Sequence, residues 1–527
     1  MAANRCPHLL LMHPPAVFDF RERPLNHWLL SKAVDTAPVF EYYPVGFITI
    51  LDHLEQRGRE VRLANLAIKM QNRRFDPRRF VREHRPLLFG IDLHWAQHAD
   101  GALSLARLCK QEHPDLPVVL GGLSASYFRA EIMHNPDVDF VLRGETTEEP
   151  LAQLLDCLEA KREPAEVPNL VWRRGSTATS RGATVVENPF THRPTTLTTR
   201  INYERLFQHI RRTRDLRGSL LTGQHWPVYC ANLLLFCKGC VENCAICGGS
   251  NWAQGLEQTP LWDTDILADM CVAARRMTRF PIRVPGDIRQ GDWRGFLAAL
   301  KRRGFTRAMH FDLFRPGDAE FYQALADAVP EPQGTIGPVT HDEELRARYG
   351  FDYDNAVLER TIEEFLGVGG ALSLFFYIGI PGQTAHSARA TTDYALDLLR
   401  RFQRGRKRRL DVYVSALAPF IDPGSLAFTH PEKYGYRLRC RTLEDHRQAM
   451  RQPDWWDTLN YESEAMSRFE LAQAAIEAEI RVTKARRDAG LYPGRFARRD
   501  LRRLEQEAKR LAGSPLARGA EQSDQSV

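Results

Sequence analysis

The chain has 527 residues, 43% of them hydrophobic and 26% charged, with a formal net charge of +6. These values exclude a disordered chain, leave room for two or three domains, and permit an anionic substrate without pointing to nucleic acid. The longest apolar runs, such as residues 372–380, fall far short of the ~20 residues that cross a bilayer, and the first residues hold too short an apolar core for a secretion signal. Cytoplasm is the expected compartment, because ten cysteines without a visible disulfide framework suit reducing conditions.

Residues 9–12 read as a short apolar strand, ended by His13-Pro14-Pro15, since proline cannot donate to a strand ladder. Tyr43-Pro44-Val45-Gly46 opens a helix over residues 47–57 that places Ile48, Leu51 and Leu54 on one face, with Gly58 as its C-cap. Strands at 61–64, 86–93, 118–120 and 140–142, with a helix at 102–109, predict a parallel, doubly wound sheet. Such sheets bind ligands beyond the carboxyl ends of their strands. Gly121-Gly122-Leu123-Ser124-Ala125-Ser126 leaves one of these ends, and Arg143-Gly144-Glu145 leaves another. Paired glycines allow close backbone approach, and the two serines can hydrogen-bond a polar tail threaded between them. A tight strand-to-helix turn explains the glycine pair equally well.

Residues 169–172 and 184–186, joined across Gly175-Ser176-Thr177, predict a polar hairpin, and the Thr, Pro and Arg-rich residues 191–217 an interdomain connection. Then comes an apolar run, Leu233-Leu234-Leu235-Phe236, that reads as a buried strand, followed at once by Cys240, Cys244 and Cys247 in C-x3-C-x2-C spacing. A loop flanked by Gly239, Gly248 and Gly249 can turn three sulfurs inward around one inorganic centre. Four cysteines normally close an iron-sulfur centre, so three leave one iron open. A zinc knot using Cys230 or Cys237 is an alternative, although structural zinc sites usually take two separated ligand pairs and no second pair follows. Unligated core cysteines are another, against which stands the crowding of five cysteines between Cys230 and Cys247.

From residue 220 the alternation predicts a partial (β/α) barrel, with the cysteine loop after its first strand. Further strands fall at 282–284, ended by Pro285-Gly286-Asp287, at 309–313, carrying Asp312, and at 335–340, ended by Thr340. A long apolar strand then breaks at Gly379-Ile380-Pro381-Gly382-Gln383-Thr384, and a sixth runs over 412–417 through Ala416 before Asp422-Pro423-Gly424. Barrel enzymes place their chemistry at this carboxyl end. Beyond residue 433 the pattern is helical, with an amphipathic segment at 467–486. The basic stretch with Arg495, Arg498, Arg499, Arg502 and Arg503 holds few aromatics and reads as a solvated helix over the barrel, while residues 514–527 read as disordered.

C-x3-C-x2-C with Ile246 before the last cysteine resembles the signature of radical S-adenosylmethionine (SAM) enzymes. Tyr43-Pro44-Val45-Gly46-Phe47, then Val118 to Ser126, then Asp139 to Glu145 ahead of that signature resemble the cobalamin (B12)-binding domain of B12-dependent radical SAM enzymes, over about residues 5–162. The resemblance implies a Rossmann-like cobalamin domain at 1–165, a hairpin and linker at 166–218, a partial (β/α)6 radical SAM barrel at 219–432, a helical region at 433–513 and a tail at 514–527. It implies a [4Fe-4S] cluster on Cys240, Cys244 and Cys247. It implies SAM contacts at Ile246, Pro285, Gly286, Asp287, Thr340, Gly379, Pro381, Gly382 and Ala416. Cobalamin contacts are implied at Pro14, Gly46, His94, Trp95, His98, Gly121, Gly122, Ser124, Ser126, Gly144 and Glu145. One departure stands out. Many B12 domains ligate cobalt through D-x-H-x-x-G, whereas Asp92-Leu93-His94 is followed by Trp95-Ala96-Gln97 and lies on the third strand. His94 or His98 can still approach the lower corrin face, although for each the plainer reading is a hydrogen-bonded histidine at a strand end.

The activity implied is reductive cleavage of SAM to a 5′-deoxyadenosyl radical, followed by methylation of an unactivated carbon in a small molecule with methylcobalamin as donor. Asp312 and Tyr377 are the candidate catalytic side chains. A non-methylating cyclase or rearrangement enzyme with both cofactors is the alternative, and an RNA-modifying protein a more distant one. The expected partners are a small-molecule substrate and a low-potential flavodoxin or ferredoxin, with no membrane span and no nucleic acid.

Overall fold

Strand order and direction divide the chain around two large sheets, one mixed and mainly parallel and one all parallel. A computed structural model describes residues 6–27, 29, 45–174, 184–219, 232–277, 281–403, 409–416 and 421–518. The expectations placed on Tyr43, Pro44, the turn at 175–177, Cys230, residues 417–420 and the tail from 519 lie outside the described residues.

The first sheet contains β1 (Leu9–His13), β2 (Val61–Asn65), β3 (Leu88–Asp92), β4 (Val118–Gly121), β5 (Phe140–Leu142), β6 (Leu170–Arg174) and β7 (Thr184–Glu187). Their order is β2-β1-β3-β4-β5-β6-β7, so the connection reverses direction between β1 and β3. The first five strands are parallel, and β6 and β7 add to the edge antiparallel. The predicted hairpin is therefore the rim of this sheet. β1, β2 and β3 are buried along their whole length, which is why β1 and β3 read as apolar runs with no alternation; β2 is buried as well, although it carries Arg62 and Asn65. The helix Gly46–Gln56 begins one residue before its predicted start, and Gly58 follows it at φ +74°.

The connecting segment holds β8 (Thr196–Leu197) and the helix Tyr203–Thr213, so it is more ordered than its composition suggests. The second sheet has the order β15-β14-β13-β12-β11-β9, all parallel, built from β9 (Asn232–Leu233), β11 (Ile282–Val284), β12 (Met309–Asp312), β13 (Gln333–Val339), β14 (Ala371–Ile378) and β15 (Leu410–Ala416). A separate short strand, β10 (Leu261–Trp262), pairs with β8. β9 stops at Leu233, although Leu234 and Phe236 are buried as a strand would bury them. In β14 the burial alternates strictly: Leu372, Leu374, Phe376 and Ile378 face the outer helices, while Ser373, Phe375 and Tyr377 are half-buried on the inner face.

The C-terminal region contributes the antiparallel pair β16 (Tyr436–Leu438) and β17 (Tyr461–Ser463), then the helices Arg468–Asp488 and Gly494–Ala512. Ser467 and Glu470 form a capping box on the first of these helices. That helix packs along β15 and closes the sheet edge, and Arg486 reaches from it to the buried Asp411 at 2.7 Å. The Gly494–Ala512 helix buries Ala497, Leu501, Leu504 and Leu511 and leaves Arg495, Arg498 and Arg502 exposed. Residues 515–518 continue as a helical turn, against the expectation of disorder from 514, because Ala517 still buries its side chain. Among the described residues no helix is long and apolar enough to cross a membrane.

Candidate functional site

The carboxyl ends of β1, β3, β4 and β5 build one cradle. Gly122, at φ +115°, turns the chain out of β4 so tightly that an added Cβ would lie 2.6 Å from the His94 backbone. Ser124 donates to the His94 carbonyl through both its amide and its hydroxyl, each at 3.0 Å, and the His94 amide donates to Asp92 Oδ1 at 3.1 Å. His94 is thereby fixed on both sides. Ser126 donates to the Gly122 carbonyl at 2.8 Å and accepts the Gly144 amide at 2.9 Å, tying the β4 and β5 loops together. The hydroxyl protons of both predicted serines are thus used internally, which leaves lone pairs for a ligand. Among the described residues nothing stands within 4 Å of a Cβ built on Gly121 or Gly46.

Behind this rim lies a histidine group that spacing alone did not reveal. His13 Nδ1 is 2.9 Å from Asp92 Oδ2, both buried, and His98 packs edge-on against His13 with ring centroids 4.8 Å apart. Burial holds His98 well below the usual histidine range, and His94 is lowered for the same reason. His94 and Trp95 stay half-buried, whereas His98 and Pro14 are packed inside. Pro14 and Pro15 lie against Gly101, where a Cβ would meet the Pro15 carbonyl.

The cysteine loop is pinned by the other strand ends of the barrel. Gln290, after β11, accepts the Val241 amide at 3.0 Å; Arg315, after β12, pairs with Glu242 at 2.5 Å; Asp422, after β15, accepts the Gly248 amide at 3.0 Å. The backbone continues the clamp through Asp422 N to the Ile246 carbonyl at 3.1 Å and Ala427 N to the Ala245 carbonyl at 2.7 Å. Cys240, Cys244 and Cys247 are half-buried on this single loop. Burial pushes all three thiols up, Cys244 to about 11, and the neighbouring sulfurs add to the shift in Cys244 and Cys247. No three His, Cys, Asp or Glu side chains among the described residues converge where one metal ion would sit. Three soft sulfur donors on one glycine-flanked loop are the donor type that iron-sulfur clusters take. Cys237 stands apart: it is buried, its thiol donates to the Gly239 carbonyl at 3.3 Å, and a Cβ on Gly286 would lie 3.2 Å from its sulfur.

Below the loop, the inner barrel face is polar. Arg283 on β11 pairs with Asp312 on β12 at 3.1 Å, and both occupy the half-buried positions of their strands, on one face. Burial pushes the Asp312 carboxyl up while Arg283 opposes it. Tyr377 projects from β14, and burial beside Cys244 raises its phenol to about 12, keeping a neutral O–H donor there. Phe375 and Tyr413 stack at 4.5 Å deeper in the same face.

The remaining predicted positions divide into two groups. Gly379 (φ +99°) and Gly382 (φ +77°) form the turn after β14, which Gln383 secures by accepting the Gly379 amide at 2.9 Å and donating to the Tyr377 carbonyl at 3.2 Å. Pro381, Ile246, Pro285, Gly286 and Ala416 are half-buried at the same barrel end. The Thr340 side chain, by contrast, is fully buried and contacts Thr391 of the outer helix Ala385–Phe402 at 3.0 Å. Asp287 is taken up by Arg289 and by the Phe314 amide at 3.2 Å. Both hold the wall of the barrel through their side chains.

The two strand-end clusters meet. Lys238, between Cys237 and Cys240, is buried and donates to Glu148 Oε1 at 2.7 Å and to the Glu145 carbonyl at 2.9 Å. Thr49 donates to the same Glu148 oxygen at 2.5 Å. Burial pushes the Glu145 carboxyl up to about 7 against the pull of Lys238 and the Gly239 amide. Glu148 is also buried, yet Lys238 and Thr49 hold it below the usual carboxylate range. A lysine inside the cysteine loop was the only trace of this contact in the sequence.

Residues 31–154 match the B12 binding domain family. Among curated proteins the sequence finds no match. The fold is similar to that of TsrM, a radical SAM methyltransferase from Kitasatospora setae. The form with cobalamin and a [4Fe-4S] cluster bound gives a TM-score of 0.56 at 16% identity, covering 84% of this chain and 81% of that one. The form with tryptophan substrate and a SAM analogue gives 0.55 at 16% identity, covering 81% and 76%. The apo form of OxsB, a cobalamin-dependent SAM radical enzyme, gives 0.56 at 12% identity, covering 90% of this chain and 66% of that one. The chain thus carries a B12 binding domain and has the fold of the cobalamin-dependent radical SAM enzymes.

Proposed function

We propose that this protein is a cobalamin-dependent radical SAM enzyme that methylates an unactivated carbon of a small molecule. The observation that carries the reading is the direct junction of the two cradles, in which Lys238 of the cysteine loop is bonded to Glu145 and Glu148 of the B12 domain. Cys240, Cys244 and Cys247 would hold the [4Fe-4S] cluster. Gly286, Gly379, Pro381 and Ala416 would border SAM. His94, Trp95, Gly121, Gly122, Ser124, Ser126, Gly144 and Glu145 would border the cobalamin. When bound, the cluster supplies the electron that cleaves SAM to a 5′-deoxyadenosyl radical, and the cobalamin supplies the methyl group.

The protein's own part is placement and exclusion of water. Gln383 and Asp422 hold the loops that border SAM and the cluster. Arg283 keeps Asp312 oriented on the inner face, and Tyr377 offers an uncharged donor beside the cysteine loop. Both would hold a substrate polar group in the barrel. A flavodoxin or ferredoxin in the cytoplasm fits the need for a low-potential electron. Anaerobic protein reconstituted with iron, sulfide and cobalamin, given SAM, a strong reductant and a small-molecule cell extract as the source of the methyl acceptor, tests the reading. Release of 5′-deoxyadenosine and a product heavier by one methyl group support it, and failure to consume SAM sinks it.

A further inference from the structure

Lys238 occupies an unusual position. It lies in the cysteine loop, yet its ammonium group is spent on the other domain, and its side chain is only 5% exposed, as is that of Glu148. A buried ion pair is weak as a general stabiliser, because desolvation offsets much of the attraction, but it fixes register strongly since either charge left alone is costly. Both ends of this pair sit on structural levers. On one side, Lys238 N donates to the Pro260 carbonyl at 3.0 Å, and the next residue, Gly239 at φ +94°, would place a Cβ 2.6 Å from Asn251 Oδ1. Lys238 therefore cannot shift without moving the chain that enters Cys240. On the other side, Glu148 opens the helix Glu148–Glu159, and Glu145 follows Gly144, whose amide is tied to Ser126 of the β4 loop. The two cradles are therefore joined at the Lys238 ammonium, which reaches both Glu148 and the Glu145 carbonyl, and at the Gly239 amide beside the Glu145 carboxyl.

We infer that the Lys238–Glu148 pair is a coupling element that makes cobalamin binding and cluster assembly mutually favourable. The inference rests on the proposed assignment of the two cradles. Lys238 and Glu148 are positioning residues. Linkage requires that whatever the cluster adds to cobalamin affinity, cobalamin adds to cluster retention.

The test is a binding cycle. Hydroxocobalamin is titrated, by its visible absorption, into cluster-free and cluster-reconstituted protein under anaerobic conditions, for the wild type, E148Q and K238M. A paired K238M/E148M chain, which leaves no lone buried charge, keeps the measurement possible where K238M alone does not fold. Wild-type protein is expected to bind hydroxocobalamin about 10-fold more tightly once the cluster is present, within the range usual for coupled sites. In E148Q and in the paired variant that ratio falls to about 1, while affinity in the cluster-free state stays within about 2-fold of wild type. A ratio preserved in both variants, or no ratio in the wild type, overturns the coupling and leaves the cofactor assignment standing. Wild-type protein that takes up neither cobalamin nor iron overturns the assignment itself.

Discussion

Asp422 accepts the Gly248 amide at 3.0 Å, so the loop after the last barrel strand holds the cysteine loop in place. Burial pushes the Asp422 carboxyl up to about 7, with the Gly248 amide pulling the other way. In the unfolded chain this group titrates near its ordinary value of about 3.9. The folded protein therefore binds the extra proton, and the stability this contributes is fully present below about pH 4 and lost as pH rises through about 7. Cluster-free protein unfolded by urea at pH 5 and pH 8 is expected to be less stable at the higher pH. D422N, whose amide oxygen can still accept from Gly248, is expected to show a smaller difference, and an equal one would refute the assignment of this titration to Asp422.

The three half-buried cysteines and the buried Cys237 are expected to separate on substitution. C240A, C244A and C247A should each lose most of the iron after anaerobic reconstitution. C237A should retain it, because that thiol is occupied by the Gly239 carbonyl. Iron and sulfide analysis with electron paramagnetic resonance of the reduced protein reads both results.

Asp312 supplies the counter-charge to Arg283 on the inner barrel face. D312N is expected to leave iron and cobalamin content unchanged and to lower the rate of product formation by roughly 100-fold, the scale of a substrate held in the wrong place. A parallel loss of cofactor would assign Asp312 to the scaffold.

Gly122 meets the His94 backbone with no room for a side chain. G122A forces a β-carbon into a left-handed turn and a closed contact, and should cost on the order of 2 kcal/mol. Denaturant unfolding measures that loss, and hydroxocobalamin retention on gel filtration should fall with it.

Arg486 and Asp411 join the Arg468–Asp488 helix to the barrel edge, with Asp411 fully buried. R486M takes the counter-charge from that carboxylate, which keeps the Tyr413 hydroxyl and the Val412 amide, and should destabilise the protein by about 3 kcal/mol, whereas R486M/D411L removes both charges and should recover much of the loss.

Features written in neighbouring residues are legible in the chain itself. The cysteine spacing, the Gly379 to Thr384 turn and the alternation of strand and helix are local, and local spacing sets which groups a loop or strand can present together. The apolar runs of β1 and β3 announced a sheet covered on both faces. Composition misled where local polarity hid order, as in the helix Tyr203–Thr213, whose buried Tyr203, Leu206 and Ile210 are spaced among arginines.

What closes the site was not legible, since it depends on groups far apart in the chain. Lys238 meets Glu148 across 90 positions, Gly248 meets Asp422 across 174, and His13 meets Asp92 across 79. No periodicity links such pairs, and each depends on which strand ends the two sheets bring together. Thr340 makes the same point from the other direction: its place at a strand end suggested the site, but the register of β13 and its left-handed Val339 accompany a side chain turned to the outer helix. Sequence alone thus determined the two kinds of cradle and their order along the chain. Tertiary packing decided that they touch, and through which charge, because the strength of a buried ion pair depends on the water excluded when distant segments close over it.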